Sequence, residues 1–378
     1  MRRRPIRRIA SIVWASFLML TLVSFVASCG GDDERDAKPS DEPAAPQETV
    51  IRVVTTSNII ADWARIVGGD RVEVISLMPV DVDPHTFQPG PRDAAQIAEA
   101  DVVLAVGLSM EGFWLEDLLK NVARDASIVL ALGDLIDPIH AHSDDMHGDE
   151  EDGHENDEDH EHDEDGENHK DDEEDGHDDD GQHEADEDHE HDEDEHEGHA
   201  HVHGPENPHF WFDPIRVKVA INAIAARLSR LDPANANVYF TNAVAYNEKL
   251  DELHHWTEHE VSAVAPERRL LVTSHDSYRY FAERYGFEVI GVILGVSTDV
   301  EASAEHLAHL VELVKERDVP AVFGETITSE RLAQALANET GTKLVRIYSD
   351  SLGADGSGAE TYISMVQENV KRVVEALR

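Results

Sequence analysis

The sequence predicts an α/β protein of two similar lobes, each built on a mainly parallel sheet, joined by a long helix. Three observations predict it. Short β-branched runs alternate with stretches of helical period from residue 50 onward. A low-complexity acidic run at 140–203 interrupts the alternation, which restarts after Pro266. Between the halves lie helical patterns over 214–231 and 234–264, parted by the breaker pair Asp232-Pro233. A chain of 378 residues is long enough for two domains of ordinary size.

In the first half, residues 51–55 (Ile-Arg-Val-Val-Thr) form an expected strand, and 59–67 an expected helix ended by Gly68-Gly69. Strands are expected at 71–78, 102–106 and 128–132, with helices at 93–100 and 112–122. In the second half, strands at 270–273, 289–294, 321–323 and 344–348 alternate with helices starting at Ser277, Glu301 and Ser329. A last helix covers 360–377. The expected division is a first lobe at 50–213 carrying an inserted loop at 140–204, linking helices at 214–265, and a second lobe at 266–378. Ligands of open α/β sheets bind beyond the carboxyl ends of the strands, so two facing lobes imply a cleft there.

The formal net charge is −49, but its distribution matters more than its sum. Residues 143–197 hold 33 Asp and Glu against one basic residue, Lys170, which leaves −17 for the rest of the chain. That remainder suits a folded soluble protein, and the lack of a basic groove excludes nucleic acid as a partner. The acidic run has too few apolar residues to offset chain entropy and is expected to be disordered. It also holds 15 of the 23 histidines, among them His140, His142, His147, His154, His160, His162, His199, His201 and His203. Near neutral pH most imidazoles are uncharged metal ligands, and the carboxylates concentrate cations around them. An auxiliary low-affinity metal store is one reading of this run, and a solvated spacer is the other. A loose EF-hand likeness at 161–172 begins with Glu and ends with Asp, the reverse of what calcium loops use, and is rejected.

The N-terminus has the pattern of a targeting segment. Arg2, Arg3, Arg4, Arg7 and Arg8 precede a predominantly apolar stretch at 9–27. Val26-Ala27-Ser28-Cys29 then resembles a bacterial lipobox, which implies removal of residues 1–28 and a lipid on Cys29. The polar, Pro-rich residues 29–49 form an expected tether. Cys29 is the only cysteine, so no disulfide supports the fold. The expectation is an exported monomer held by its lipid at the extracytoplasmic face of the cell membrane.

Three histidines sit in similar loop contexts: Asp83-Pro84-His85, Asn207-Pro208-His209 and Thr273-Ser274-His275-Asp276. A single histidine in such a place is usually an ordinary turn or core residue. Three together point to a metal, and imidazole nitrogen in a tetrahedral site points to Zn2+. Asp350, just after the last expected strand, is the candidate fourth ligand, although a loop Asp often serves only as a turn former. The pairs His255/His259 and His306/His309 stand at helical spacing and are expected to be solvated helix faces.

These residues resemble the metal-binding solute-binding proteins of zinc and manganese ABC importers, the ZnuA/TroA-like group. The matching segments are 55–70, 77–93, 100–114 with Gly107 and Glu111, Asn207 to Pro214, 272–280 and Phe323-Gly324-Glu325. The resemblance implies two Rossmann-like α/β lobes bridged by a rigid helix, with one tightly bound metal in the cleft. His85 and His209 would come from the first lobe, His275 and Asp350 from the second, with Asp83, Asp276 and Glu325 orienting imidazoles from behind. It also implies delivery of the metal to an ABC permease and its ATPase. Relatives that handle manganese or iron more often place a carboxylate at the third position, so His275 tilts the expectation to zinc, with manganese or iron as the alternative. Two departures stand out: the disulfide of some zinc-binding relatives is missing, and 298–303 follows the family's helix start only loosely. A zinc hydrolase is the alternative of another class. It needs an open metal position and a base, whereas Asp350 would close the site and no His-Glu-x-x-His helix is present. The protein is therefore expected not to be an enzyme.

Overall fold

The computed structural model describes residues 50–140 and 206–378, apart from residues 113, 123, 300 and 301. The expected signal segment, Cys29, the tether and residues 141–205 lie outside the described residues. Within the first lobe, β1 (Ile51–Thr55), β2 (Val72–Ser76), β3 (Val102–Ala105) and β4 (Val129–Ala131) form a parallel sheet in the order β2-β1-β3-β4. The second lobe repeats that order. Its strands β5 (Leu270–Thr273), β6 (Glu288–Val292), β7 (Ala321–Glu325) and β8 (Lys343–Ile347) run β6-β5-β7-β8, all parallel. β3, β5 and β7 are buried along their whole length, which is why they lack polar alternation in the sequence. Strand order reverses between β1 and β3 and again between β5 and β7, and each reversal leaves a crevice at the carboxyl ends.

The helices start where side chains satisfy free N–H groups. Ser57 accepts from the Ile59 N–H at the start of α1 (Asn58–Gly68), and Asp213 accepts from Ile215 at the start of α4 (Pro214–Leu231). α2 (Pro91–Ala98) opens on a proline, whose missing N–H costs nothing there. The helix expected from Gly112 begins two residues later as α3 (Trp114–Asn121). Gly107, Leu108, Ser109 and Gly112 all have positive φ, so this turn cannot open a right-handed helix. α5 (Ala236–Val261) and α6 (Arg279–Tyr285) follow. α7 (Ala304–Glu316) starts after Ser303, whose hydroxyl caps His306 N–H, rather than at Glu301. α8 (Glu330–Thr340) and α9 (Tyr362–Leu377) complete the chain.

α5 has 26 residues, a length of about 39 Å at the helical rise. It packs on α1 in the first lobe and on α9 in the second, whereas α4 packs on α1 and α5. Both expected linking helices reach the two lobes, α4 touching the second through Arg216, which bonds Glu283 of α6 at 3.1 Å. The lobes also share one apolar core, which includes Trp63, Phe210, Phe281 and Tyr362. Trp63 of α1 meets Tyr362 of α9 edge-on at 5.4 Å, and Phe212 stacks on Tyr278 at 4.2 Å. Aromatic burial of this kind is among the largest apolar contributions to packing. The buried Asp213 carboxylate is held by Arg216 at 2.9 Å and, from α6, by Arg284 at 2.7 Å. Residues 49–378 accordingly form one compact unit. Among the described residues no helix is long and apolar enough to cross a membrane.

Candidate metal centre

Two of the candidate ligands are presented by the same local device. In Asp83-Pro84-His85 the Asp83 carboxylate accepts the His85 backbone N–H at 2.9 Å. In Asn207-Pro208-His209 the Asn207 side-chain oxygen accepts the His209 N–H at 3.0 Å. Each is an Asx turn stiffened by a central proline of fixed φ, and each holds its imidazole on a rigid bend. His275 leaves β5 through a comparable clasp, with the Thr273 hydroxyl donating to its carbonyl at 2.7 Å. Asp350 follows β8, and its loop is pinned by Trp211 Nε1 donating to the Ser349 carbonyl at 3.0 Å.

The four side chains converge. His209 Nε2 lies 3.3 Å from His85 Nε2 and 3.1 Å from His275 Nε2. Asp350 Oδ2 lies 3.1 Å from His275 Nε2 and 3.4 Å from His85 Nε2, while Oδ1 lies 3.6 Å from His209 Nε2. A tetrahedron with metal–ligand bonds of about 2.0–2.1 Å has edges of about 3.3–3.4 Å, so these spacings fit a single ion. The side chains of His209, His275 and Asp350 are fully buried, and His85 is only 6% exposed. Neither Asp350 oxygen accepts a hydrogen bond of normal geometry, which is costly for a buried carboxylate. A cation at the centre of the four would satisfy both its oxygens and the facing nitrogen lone pairs.

Each buried imidazole is held from behind. Glu325, at the end of β7, accepts the His275 backbone N–H on Oε1 at 2.9 Å and faces His275 Nδ1 with Oε2 at 2.5 Å. Asn207 Oδ1 lies 2.8 Å from His209 Nδ1 as well as accepting that residue's backbone N–H. The Asn207 contact places the His209 proton on Nδ1 and turns that ring's Nε2 lone pair toward the centre, and the approach of Glu325 to His275 Nδ1 favours the same tautomer there. Of the three residues expected to orient imidazoles, Glu325 lies behind the His275 ring. Asp83 instead holds the His85 backbone, and its second oxygen accepts the Thr298 hydroxyl at 2.5 Å. Asp276 Oδ2 pairs with Arg279 at 2.5 Å, and Asn207 donates to the Asp276 carbonyl at 2.7 Å. Asn207 is the residue that sequence reasoning passed over. Its signal was the parallel with Asp83 two positions before a histidine.

Burial pushes the His209 imidazole down to about 4, against the pull of Asp350. His275 moves the other way. Burial opposes its charge, but the Glu325 and Asp350 carboxylates raise it well above the usual imidazole value. Burial would raise Asp350, yet the His275 and His209 imidazoles hold it well below the carboxylate range. In the metal-free centre the carboxylates beside His275 thus favour its charged form, whereas burial favours the neutral form of His209.

The other histidines among the described residues stay apart from this centre. His140 is exposed and makes an isolated backbone bridge to Glu206, while the remaining auxiliary histidines lie outside the described residues. His255 and His259 do not pair with each other: His255 turns to Glu258 at 3.1 Å and His259 to Glu260 at 3.4 Å. The His306 ring donates to the Val292 carbonyl at 2.8 Å.

Comparison with known proteins bears on this geometry. Residues 53–376 match the profile of the family described as ZnuA, zinc-uptake complex component A periplasmic. The manganese-binding lipoprotein MntA of Halalkalibacterium halodurans is 28% identical over 363 residues, 96% of this chain and 97% of its own length. The manganese ABC transporter substrate-binding lipoprotein PsaA of Streptococcus pneumoniae serotype 4 is 25% identical over 332 residues, 86% of this chain and 89% of its own. Among solved structures, the periplasmic zinc-binding protein TroA of Treponema pallidum superposes with a TM-score of 0.66 at 25% identity, covering 87% of this chain and 99% of that one. The manganese-bound periplasmic metal-binding protein of Candidatus Liberibacter asiaticus shares the fold, with a TM-score of 0.64 at 23% identity over 87% of this chain and all of that one. The expectation of zinc is therefore only half met, since these curated relatives are named for manganese. The chain belongs to the ZnuA family, the metal-binding substrate-binding proteins of ABC importers, and is not an enzyme.

Proposed function

We propose that this protein captures a divalent first-row transition metal outside the cytoplasm on His85, His209, His275 and Asp350. It then delivers the ion to the permease and ATPase of an ABC importer. The observation that carries the reading is the convergence of three imidazole Nε2 atoms and a carboxylate, with spacings of 3.1–3.6 Å, in a buried pocket. Manganese is the cargo that the named relatives support. The carboxylate supports it too. Oδ1 faces His209 while Oδ2 faces His85 and His275, so both oxygens can reach one ion and raise its coordination above four. Zinc is the second reading, favoured by the third imidazole, His275, because nitrogen-rich tetrahedral sites suit zinc.

The relatives named as lipoproteins support removal of residues 1–28, lipidation of Cys29 and a tether at 29–49. The mature chain then works at the extracytoplasmic face as a monomer, with lobes at 50–213 and 266–378 joined through 214–265. The histidine-rich acidic run serves as a low-affinity store that feeds the cleft. Competitive titration of Mn2+ against Zn2+ on protein lacking residues 143–197 tests the cargo. A manganese cargo predicts one tight Mn2+ per chain, lost in His209→Ala. Binding of Zn2+ with no measurable site for Mn2+ would refute it.

A further inference from the structure

Three of the four convergent side chains are locked to elements of both lobes. Asn58 of α1 donates to Ser351 Oγ at 3.0 Å and accepts the Leu352 N–H at 2.9 Å, just after Asp350. Trp211 holds Ser349, just before it. His209 and His275 share the Asn207–Asp276 contact, and Tyr280 donates to the Asn207 carbonyl at 2.7 Å. These ties are buried. His85 is different: it is the one ligand whose side chain reaches solvent.

What holds that loop across the cleft is narrow. Asp83 grips the His85 backbone with Oδ1, and its Oδ2 accepts the Thr298 hydroxyl from the loop that follows β6. Asp81 adds a backbone N–H to Ser351 Oγ at 2.9 Å, four residues before His85. Behind the Asp83–Thr298 contact lies a cavity of about 200 Å³, lined by Asp83, Ser274, Thr298 and Arg331 among others. That space is large enough for several waters. Its Ser274 wall is one residue from His275, and the Ser274 hydroxyl accepts the Glu325 N–H at 3.2 Å.

We infer that Thr298 and Asp83 are positioning residues that set how long the metal stays, by latching the outermost ligand, His85, to the second lobe. The inference rests on the metal-site reading of the preceding subsection. With the hydroxyl in place, His85 cannot swing out without breaking a hydrogen bond to a carboxylate. Without it, the Asp83–His85 turn is free on the cleft side, and water from the cavity reaches the ion earlier. The donor set is the same in both cases, so exit and entry rates change while the coordination does not.

The test uses the full mature chain loaded with Zn2+ and mixed rapidly with excess chelating dye, the slow phase reporting the buried site. Thr298→Val keeps the shape and removes the hydroxyl. Loss of one hydrogen bond to a charged acceptor predicts a slow phase faster by about tenfold. Thr298→Ser should restore the wild-type rate within about twofold, and the Co2+ absorption spectrum should be the same in all three proteins. A Thr298→Val rate equal to wild type overturns the latch, as does a changed Co2+ spectrum, which would make Thr298 a shaper of the ligands. A wild-type slow phase that survives His209→Ala overturns the site assignment itself, separately from the latch.

Discussion

Glu325→Gln probes the centre through a residue that touches no ion. In the metal-free protein Glu325 does two things to His275: it fixes the ring through Nδ1 and the backbone N–H, and it raises the imidazole's proton affinity. A glutamine has one acceptor oxygen for these two donors and no charge. Loss of the orienting partner weakens metal binding by about 10- to 100-fold, or about 1.4–2.7 kcal/mol. Loss of the charge works in the opposite direction. A proton held on wild-type His275 must leave before Nε2 can bind a metal, whereas the variant, with only Asp350 to raise the ring, holds that proton less tightly. The affinity deficit should therefore be full at alkaline pH and shrink toward neutrality. The cleanest readout is the proton count. Calorimetry of Mn2+ binding to protein lacking residues 143–197, in two buffers of different ionisation enthalpy at pH 7, should show fewer protons released by Glu325→Gln than by wild type. Equal proton release by the two proteins would refute the role given to Glu325.

Further expectations follow from the same contacts. Asn207→Ala removes the acceptor of both His209 N–H groups and should weaken metal binding by about 10- to 100-fold in equilibrium titration with the fold intact; an unchanged affinity would place His209 outside the site. The proton affinity of His209 is depressed by burial, so the stability it contributes is fully present above its unfolded value, about 6.5, and is lost as pH falls toward about 4. Urea unfolding of the metal-free protein should show a decline across that window, which His209→Gln makes shallower. Deleting residues 143–197 should abolish weak metal sites and leave one tight site, and disappearance of the tight site in a metal titration would mean the ion sits elsewhere.

Much of this arrangement was legible in the sequence for identifiable reasons. The Asx-Pro-His turns announce themselves because an Asx side chain two positions before a histidine can accept that histidine's N–H, and proline holds the bend. His275 and Asp350 are legible by position, since each follows a run that reads as a strand and ligands gather at strand ends. Partners distant in sequence were harder to read. Nothing local in Asp83 or Thr298 says that they meet across 215 positions, or that Asp83 serves a backbone rather than a ring. The start of α3 moved because positive φ at Leu108 and Ser109 is a property of the folded turn, not of leucine and serine. The shared core was missed as well. Alternating strands and helices suggested two lobes tied by a helix, whereas Trp63, Phe210 and Tyr362 join them through packing. Metal choice was only half legible. A third imidazole argues for zinc, yet the carboxylate presents both oxygens and the relatives are named for manganese.

The measurement that bears most directly on the centre is anomalous diffraction from crystals of the protein lacking residues 143–197, grown with Mn2+ and, separately, with Zn2+. One peak per chain is expected, within about 2.0–2.2 Å of His85 Nε2, His209 Nε2, His275 Nε2 and an Asp350 oxygen, with the manganese peak within reach of both oxygens. A principal peak elsewhere, for instance on His254, His255 and Glu258 of α5, would contradict the assignment.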